Sequence, residues 1–199
     1  GAEADRRWTA RDLDLVLAAL ADLPQDWFAP ADGRYRILLH RHTEAAIRVG
    51  AMAPSAGFLV ALAGEGYPGV LIADGWDRIN SRERRVVMVH ELSHELQRKS
   101  PSRWRSAWRK AMKADRALSK ATATPSSVSI YADTETGEDF AESIAAYRYL
   151  PALLQTRAPS RYAFLRDTVF RGVEYVSETG CRPEPRMTIA GLATDIADR

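Results

Sequence analysis

The segment His90-Glu91-Leu92-Ser93-His94 has the residue types and the spacing of a hydrolytic metal centre. Two imidazoles four residues apart lie one above the other on a single helix face and can reach one cation, while the intervening Glu91 points to the adjacent edge. Zinc suits such a pair. With two histidine nitrogens and one further protein ligand it keeps a fourth position for water, whose pKa it lowers to about 7. Glu91 is then placed to accept that water's proton and pass it to a leaving amine, the chemistry of peptide-bond hydrolysis. The plain alternative is a helix with two ordinary histidines and a surface glutamate.

The third ligand has few sources. The chain holds four histidines, His40, His42, His90 and His94, and a single cysteine, Cys181, so a multi-cysteine site is excluded and a carboxylate or another histidine is required. His40 and His42 alternate on one strand face and read as packed or solvated residues, and Asp74 and Asp77 read as turn residues. Glu138 is the better candidate. It opens a helix after a Ser/Thr-rich loop, and Glu142 follows one turn later on the same face, where one carboxylate can meet a metal and the other a ligand histidine. Both can equally be solvent-facing acids on a helix whose other side is Phe140, Ile144 and Tyr147.

Apolar periodicity supplies the elements that carry these residues. Leu13, Val16, Leu17 and Leu20 recur at helical spacing behind a Thr9–Asp12 capping box, and Arg34–Arg41, Gly57–Ala63 and Gly69–Ala73 read as strands. Residues 43–54 have room for a short helix. Asn80, with Glu83 three residues on, caps a helix over Ser81–Lys99 that contains the histidines. Ser100-Pro101 starts a further helix with Trp104, Trp108, Ala111 and Met112 on its buried side. Residues 121–137 read as a loop. A second capping box, Thr136 and Asp139, starts a helix over about Gly137–Tyr149 that stops before Pro151, and Pro159–Val176 carries one more.

The segment Tyr131-Ala-Asp-Thr-Glu-Thr-Gly-Glu138-Asp-Phe140-Ala141-Glu142, following an HExxH, resembles the catalytic region of the anthrax lethal factor family of zinc metallopeptidases, which includes the secreted Pro-Pro endopeptidases. In that family a Glu opening a Glu-x-Phe-Ala-Glu helix is the third zinc ligand, and a Tyr seven residues upstream points at the scissile carbonyl. The resemblance implies that His90, His94 and Glu138 bind one zinc ion per chain, that Glu91 is the general base and that Tyr131 helps hold the oxyanion. It also implies secretion from a bacterium, as an extracellular protease or as a toxin delivered into another cell.

The expected architecture is a single zincin-like α+β domain over residues 1–199. An N-terminal lobe, 1–99, holds a helix, a small mixed sheet and the HExxH helix, and a helical C-terminal lobe, 100–199, supplies Glu138. The expected function is zinc-dependent endoproteolysis of a protein or peptide substrate by a monomer.

Composition bounds the other classes. Hydrophobic residues are 46% and charged residues 27%, the balance of a globular chain, and no apolar run approaches the roughly 18 residues of a membrane span. Gly1–Asp5 is too polar for a signal peptide, and secretion from a trimmed precursor stays open. Twenty-eight basic against 26 acidic residues gives +2, too balanced to make nucleic acid an expected partner. Charge is uneven locally. Nine basic residues and one acid, Asp115, lie between Arg98 and Lys120, with Arg105, Arg109, Lys113 and Arg116 close to one stripe. That stripe reads as a solvated helix face or as the docking surface of a non-catalytic interaction module, the alternative to an enzyme.

Overall fold

A computed structural model describes residues 8–24, 38–41, 61–63 and 69–175. The chain divides into two compact units, Gly1–Glu95 and Leu96–Arg199.

The first unit begins with helix α1 (Ala10–Ala21) behind the expected capping box, in which Thr9 and Asp12 bond each other's backbone N–H. Strands β1 (Leu38–Arg41), β2 (Ala61–Ala63) and β3 (Gly69–Ile72) follow, with β3 central, parallel to β1 and antiparallel to β2. Every residue of β3 is buried, as its unbroken Gly-Val-Leu-Ile run requires of a strand covered on both faces. A 3-10 turn over Asp74–Arg78 leads to helix α2 (Ser81–Lys99). Asn80 Oδ1 accepts from the N–H groups of Arg82 and Glu83, and Glu83 returns a carboxylate to the Asn80 N–H, so the helix start is fixed by its own sequence.

One buried acid ties these elements together. Asp12 accepts from the Trp76 indole at 2.9 Å and from Arg41 at 3.0 Å, with Arg84 at 3.4 Å, in addition to Thr9. Arg41 also reaches Asp77 at 2.8 Å, so this turn aspartate serves as an ion-pair partner of β1.

The second unit is made of helices and turns as far as it is described. Helix α3 (Ser102–Thr122) buries Trp108, Ala111, Met112 and Asp115, and Trp108 packs edge-on against Phe140 and Phe164 at 5.0 and 5.5 Å. Helix α4 (Thr136–Tyr149) is buried from Asp139 to its end. Pro151 and Pro159 then occupy the first turns of α5 (Pro151–Arg157) and α6 (Pro159–Phe164), after which a wide turn over Leu165–Val169 ends near Phe170, whose ring stacks on Tyr147 at 4.5 Å.

The expected α+β class is corrected: the fold is mostly helical. Strands of four, three and four residues stand against helices of 12, 19, 21 and 14. Two causes are visible. Pro151 ends one helix, as expected, but also opens another, α5, because a first-turn residue has no intrahelical N–H bond to lose. Helix α3 also runs two residues into the expected loop, to Thr122, in a stretch rich in strong helix formers. Parts of the expected strands, the expected helix over 43–54, His42 and Cys181 lie outside the described residues.

Candidate metal centre

Helix α2 presents the HExxH as its spacing predicts. Val86, Val87, Met88, Val89 and Leu92 are buried and fix the rotation of the helix about its axis, which brings His90 and Glu91 to buried positions and His94 to a half-buried one. Ser93, between them, returns its hydroxyl to the Val89 carbonyl at 2.6 Å and so enters the core without an unsatisfied donor.

The two imidazoles face each other. Their Nε2 atoms are 3.1 Å apart and their rings meet edge-on at 4.8 Å between centroids. Two nitrogens bound to one tetrahedral zinc at 2.0–2.1 Å stand about 3.3 Å apart, close to this separation. The separation is that of two ligands on one cation, and without a cation it is that of a hydrogen bond in which one Nε2–H donates to the other.

Glu138 is the third residue of α4 and is half-buried. The His90–His94 pair belongs to the first compact unit and Glu138 to the second. Two imidazole nitrogens and a carboxylate oxygen are a donor set that fits zinc and leaves a fourth position open. His40 lies in β1.

Tyr131 opens a 3-10 turn, Tyr131–Asp133, with its ring exposed. The turn is anchored from below. Glu142 is buried on α4 and its Oε2 accepts the Ser129 hydroxyl at 2.8 Å, while Ser129 Oγ accepts the Ala132 N–H at 3.0 Å. Thr134 caps the other end by donating its hydroxyl to the Tyr131 carbonyl at 2.7 Å. Glu142, expected beside a ligand histidine, thus has a definite task in holding the segment that carries Tyr131.

The first turn of α4 departs from its expected capping box. The helix starts at Thr136, its N-cap Glu135 makes no side-chain cap bond, and Asp139 is buried against Arg161. Burial pushes the Asp139 carboxyl up to about 6 against the opposing charge of Arg161. Arg161 also donates to Asp115 at 3.0 Å and to the Ser126 carbonyl, and Asp115 accepts the N–H groups of Ser160 and Arg161 at the start of α6. This network, which sets the height of the turn bearing Glu138, gives no sequence signal. Its members are 22 to 46 residues apart. Ser129 likewise lies 13 residues from Glu142.

Comparison with known proteins finds no matching family model, no matching curated protein and no matching solved structure. No helix among the described residues is long and apolar enough to cross a membrane.

Proposed function

We propose that the protein is a zinc-dependent endopeptidase in which His90, His94 and Glu138 hold the metal. The observation that carries this reading is the facing pair of Nε2 atoms at 3.1 Å, one turn apart on a helix with buried Glu91 between them. The resemblance of Tyr131–Glu142 to the lethal factor family supports it.

Zinc, when bound, supplies Lewis acidity at the scissile carbonyl and lowers the pKa of water in the site. Glu91 takes the water's proton and returns it to the departing amine; its burial strengthens the interaction with that proton by excluding competing water. Tyr131 donates its hydroxyl to the carbonyl oxygen as negative charge builds there, a contribution of about 3 kcal/mol for one well-placed donor. Ser129 and Glu142 act at one remove, by holding the Tyr131 turn. Release outside the producing cell, or delivery into another, belongs to the same proposal and rests on the resemblance alone.

Metal analysis of the purified protein is expected to find one zinc per chain, lost in His90→Ala. Glu91→Gln is expected to keep the zinc and lose peptidase activity by about two orders of magnitude or more. An ordered protein that takes up no zinc overturns the reading, and an undiminished rate in Glu91→Gln removes that residue as the base.

A further inference from the structure

Arg109, Lys113, Arg116 and Lys120 succeed one another on α3 at intervals of four, three and four residues and so lie along one stripe. That stripe is more than a convex solvated face. With Met112, Ala117 and Thr136 it lines a cavity of about 550 Å³. Among the described residues its four cations make no direct ion pair. The one acid of α3, Asp115, is buried and committed to Arg161 and the α6 N–H groups, and Asp139, which attracts Arg116, is likewise bound to Arg161. Like charges at adjacent turns of a helix repel, so this arrangement is relieved by an anion brought from outside. Thr136, opening α4, adds a hydroxyl and a first-turn N–H group that no side chain caps.

The position of the cavity says what kind of anion fits. Thr136 and Glu138 stand two residues apart in the first turn of α4, about 200° around it, so their side chains leave opposite sides of a helix about 10 Å across. An extended peptide advances about 3.3 Å per residue and a Glu side chain adds its own length, so a side chain two or three residues from a carbonyl held at Glu138 spans that distance to the cavity. The cavity has room for one carboxylate side chain with the cations around it, and an Arg–carboxylate pair can be bidentate.

We propose that this cavity is a substrate subsite for an aspartate or glutamate side chain, which makes the enzyme selective for peptides carrying an acidic residue two or three positions from the scissile bond. The proposal rests on the peptidase reading above and gives it a substrate class.

Peptide pairs that differ only by Glu or Gln at each position test it on the zinc-loaded wild-type protein. The glutamate peptide is expected to be cleaved with a kcat/KM about tenfold higher or more at one such position, and the ratio to fall to about one in R109E/K113E, with R109Q/K113Q between. Both residues are exposed, so these variants keep the core intact. In a second arm, a fluorescein-labelled Glu-rich peptide and its Gln counterpart are titrated by anisotropy into zinc-loaded Glu91→Gln protein at about 50 mM salt, where surface charges are little screened. The acidic peptide is expected to bind about tenfold tighter, and R109E/K113E to lose that advantage. Cleavage without acidic preference, or a preference that survives charge reversal, overturns the subsite and leaves the peptidase standing. Binding of inorganic phosphate without discrimination between the peptides overturns it in favour of a simple anion site. Reversal-sensitive binding in a protein that cleaves no peptide overturns the peptidase reading instead, and supports the acidic ligand.

Discussion

Asp12 and Asp139 are both buried carboxylates that face an arginine, one in each compact unit, and they are held in opposite ways. Burial pushes both toward the neutral form. At Asp12 that push is outweighed by hydrogen bonds from the Thr9 hydroxyl, the Trp76 indole and the Thr9 N–H, together with the charge of Arg41, and the carboxyl titrates below its ordinary range. At Asp139 burial wins, because Arg161 is shared with Asp115 and the Ser126 carbonyl, and the carboxyl rises to about 6. The difference lies in the number of donors per acid. Asp12 collects several donors, whereas two acids and a carbonyl divide one guanidinium. The richly bonded acid secures a scaffold; the poorly bonded one sits next to Glu138, in the turn that carries a candidate ligand.

Removing each arginine breaks the comparison most directly. Arg161→Met is expected to destabilise the protein by about 3–5 kcal/mol, because Asp115 and Asp139 both lose the guanidinium they pair with while staying buried. Arg41→Met is expected to cost about 1.5–3 kcal/mol, since of its two charge-assisted bonds the one to Asp77 is at an exposed carboxylate, and Asp12 keeps Thr9, Trp76 and Arg84. Calorimetric unfolding of the two variants measures both. Equal losses would mean that donor number is not what separates the clusters. Zinc content and circular dichroism of folded Arg161→Met add a second reading, because a displaced α4 turn is expected to weaken metal binding while leaving helix content unchanged.

What the sequence makes legible divides along the same line. The Thr9–Asp12 and Asn80–Glu83 boxes and the His90–His94 pair are recognisable because each is written within one helical turn, where geometry follows directly from spacing. The remaining partners of Asp12 are 29, 64 and 72 residues away and have no local signature. Asp139 is misread for a related reason. Thr136 and Asp139 have the spacing of a capping box, but Arg161, brought close by α6, competes for the carboxylate and takes it into the core. Pro151 misleads in another way, since a proline that ends one helix is also a permitted first residue of the next. The local grammar thus recovers the elements and the histidine pair. The long-range arginine that steadies the Glu138 turn, and the predominance of helix over sheet, depend on tertiary packing that no window of sequence contains.

The smallest expected effect separates the two acids by sign. For Asp12 the folded pKa lies below the model-peptide value of 3.8, so its contribution to stability is present above that value and is lost as the pH falls through the lower folded one. The gap in stability between wild type and Asp12→Asn is therefore expected to narrow below about pH 4. For Asp139 the folded pKa of about 6 exceeds 3.8, so the folded state holds the proton more tightly and its contribution is lost as the pH rises from 3.8 through about 6. The gap between wild type and Asp139→Asn is expected to shift in the variant's favour between about pH 4 and 7. Urea unfolding across that range, with zinc chelated so that only the protein's own groups titrate, measures both slopes. An Asp139→Asn gap that widens as the pH rises would show Arg161 holding Asp139 ionised, and the two clusters would then be the same device built twice.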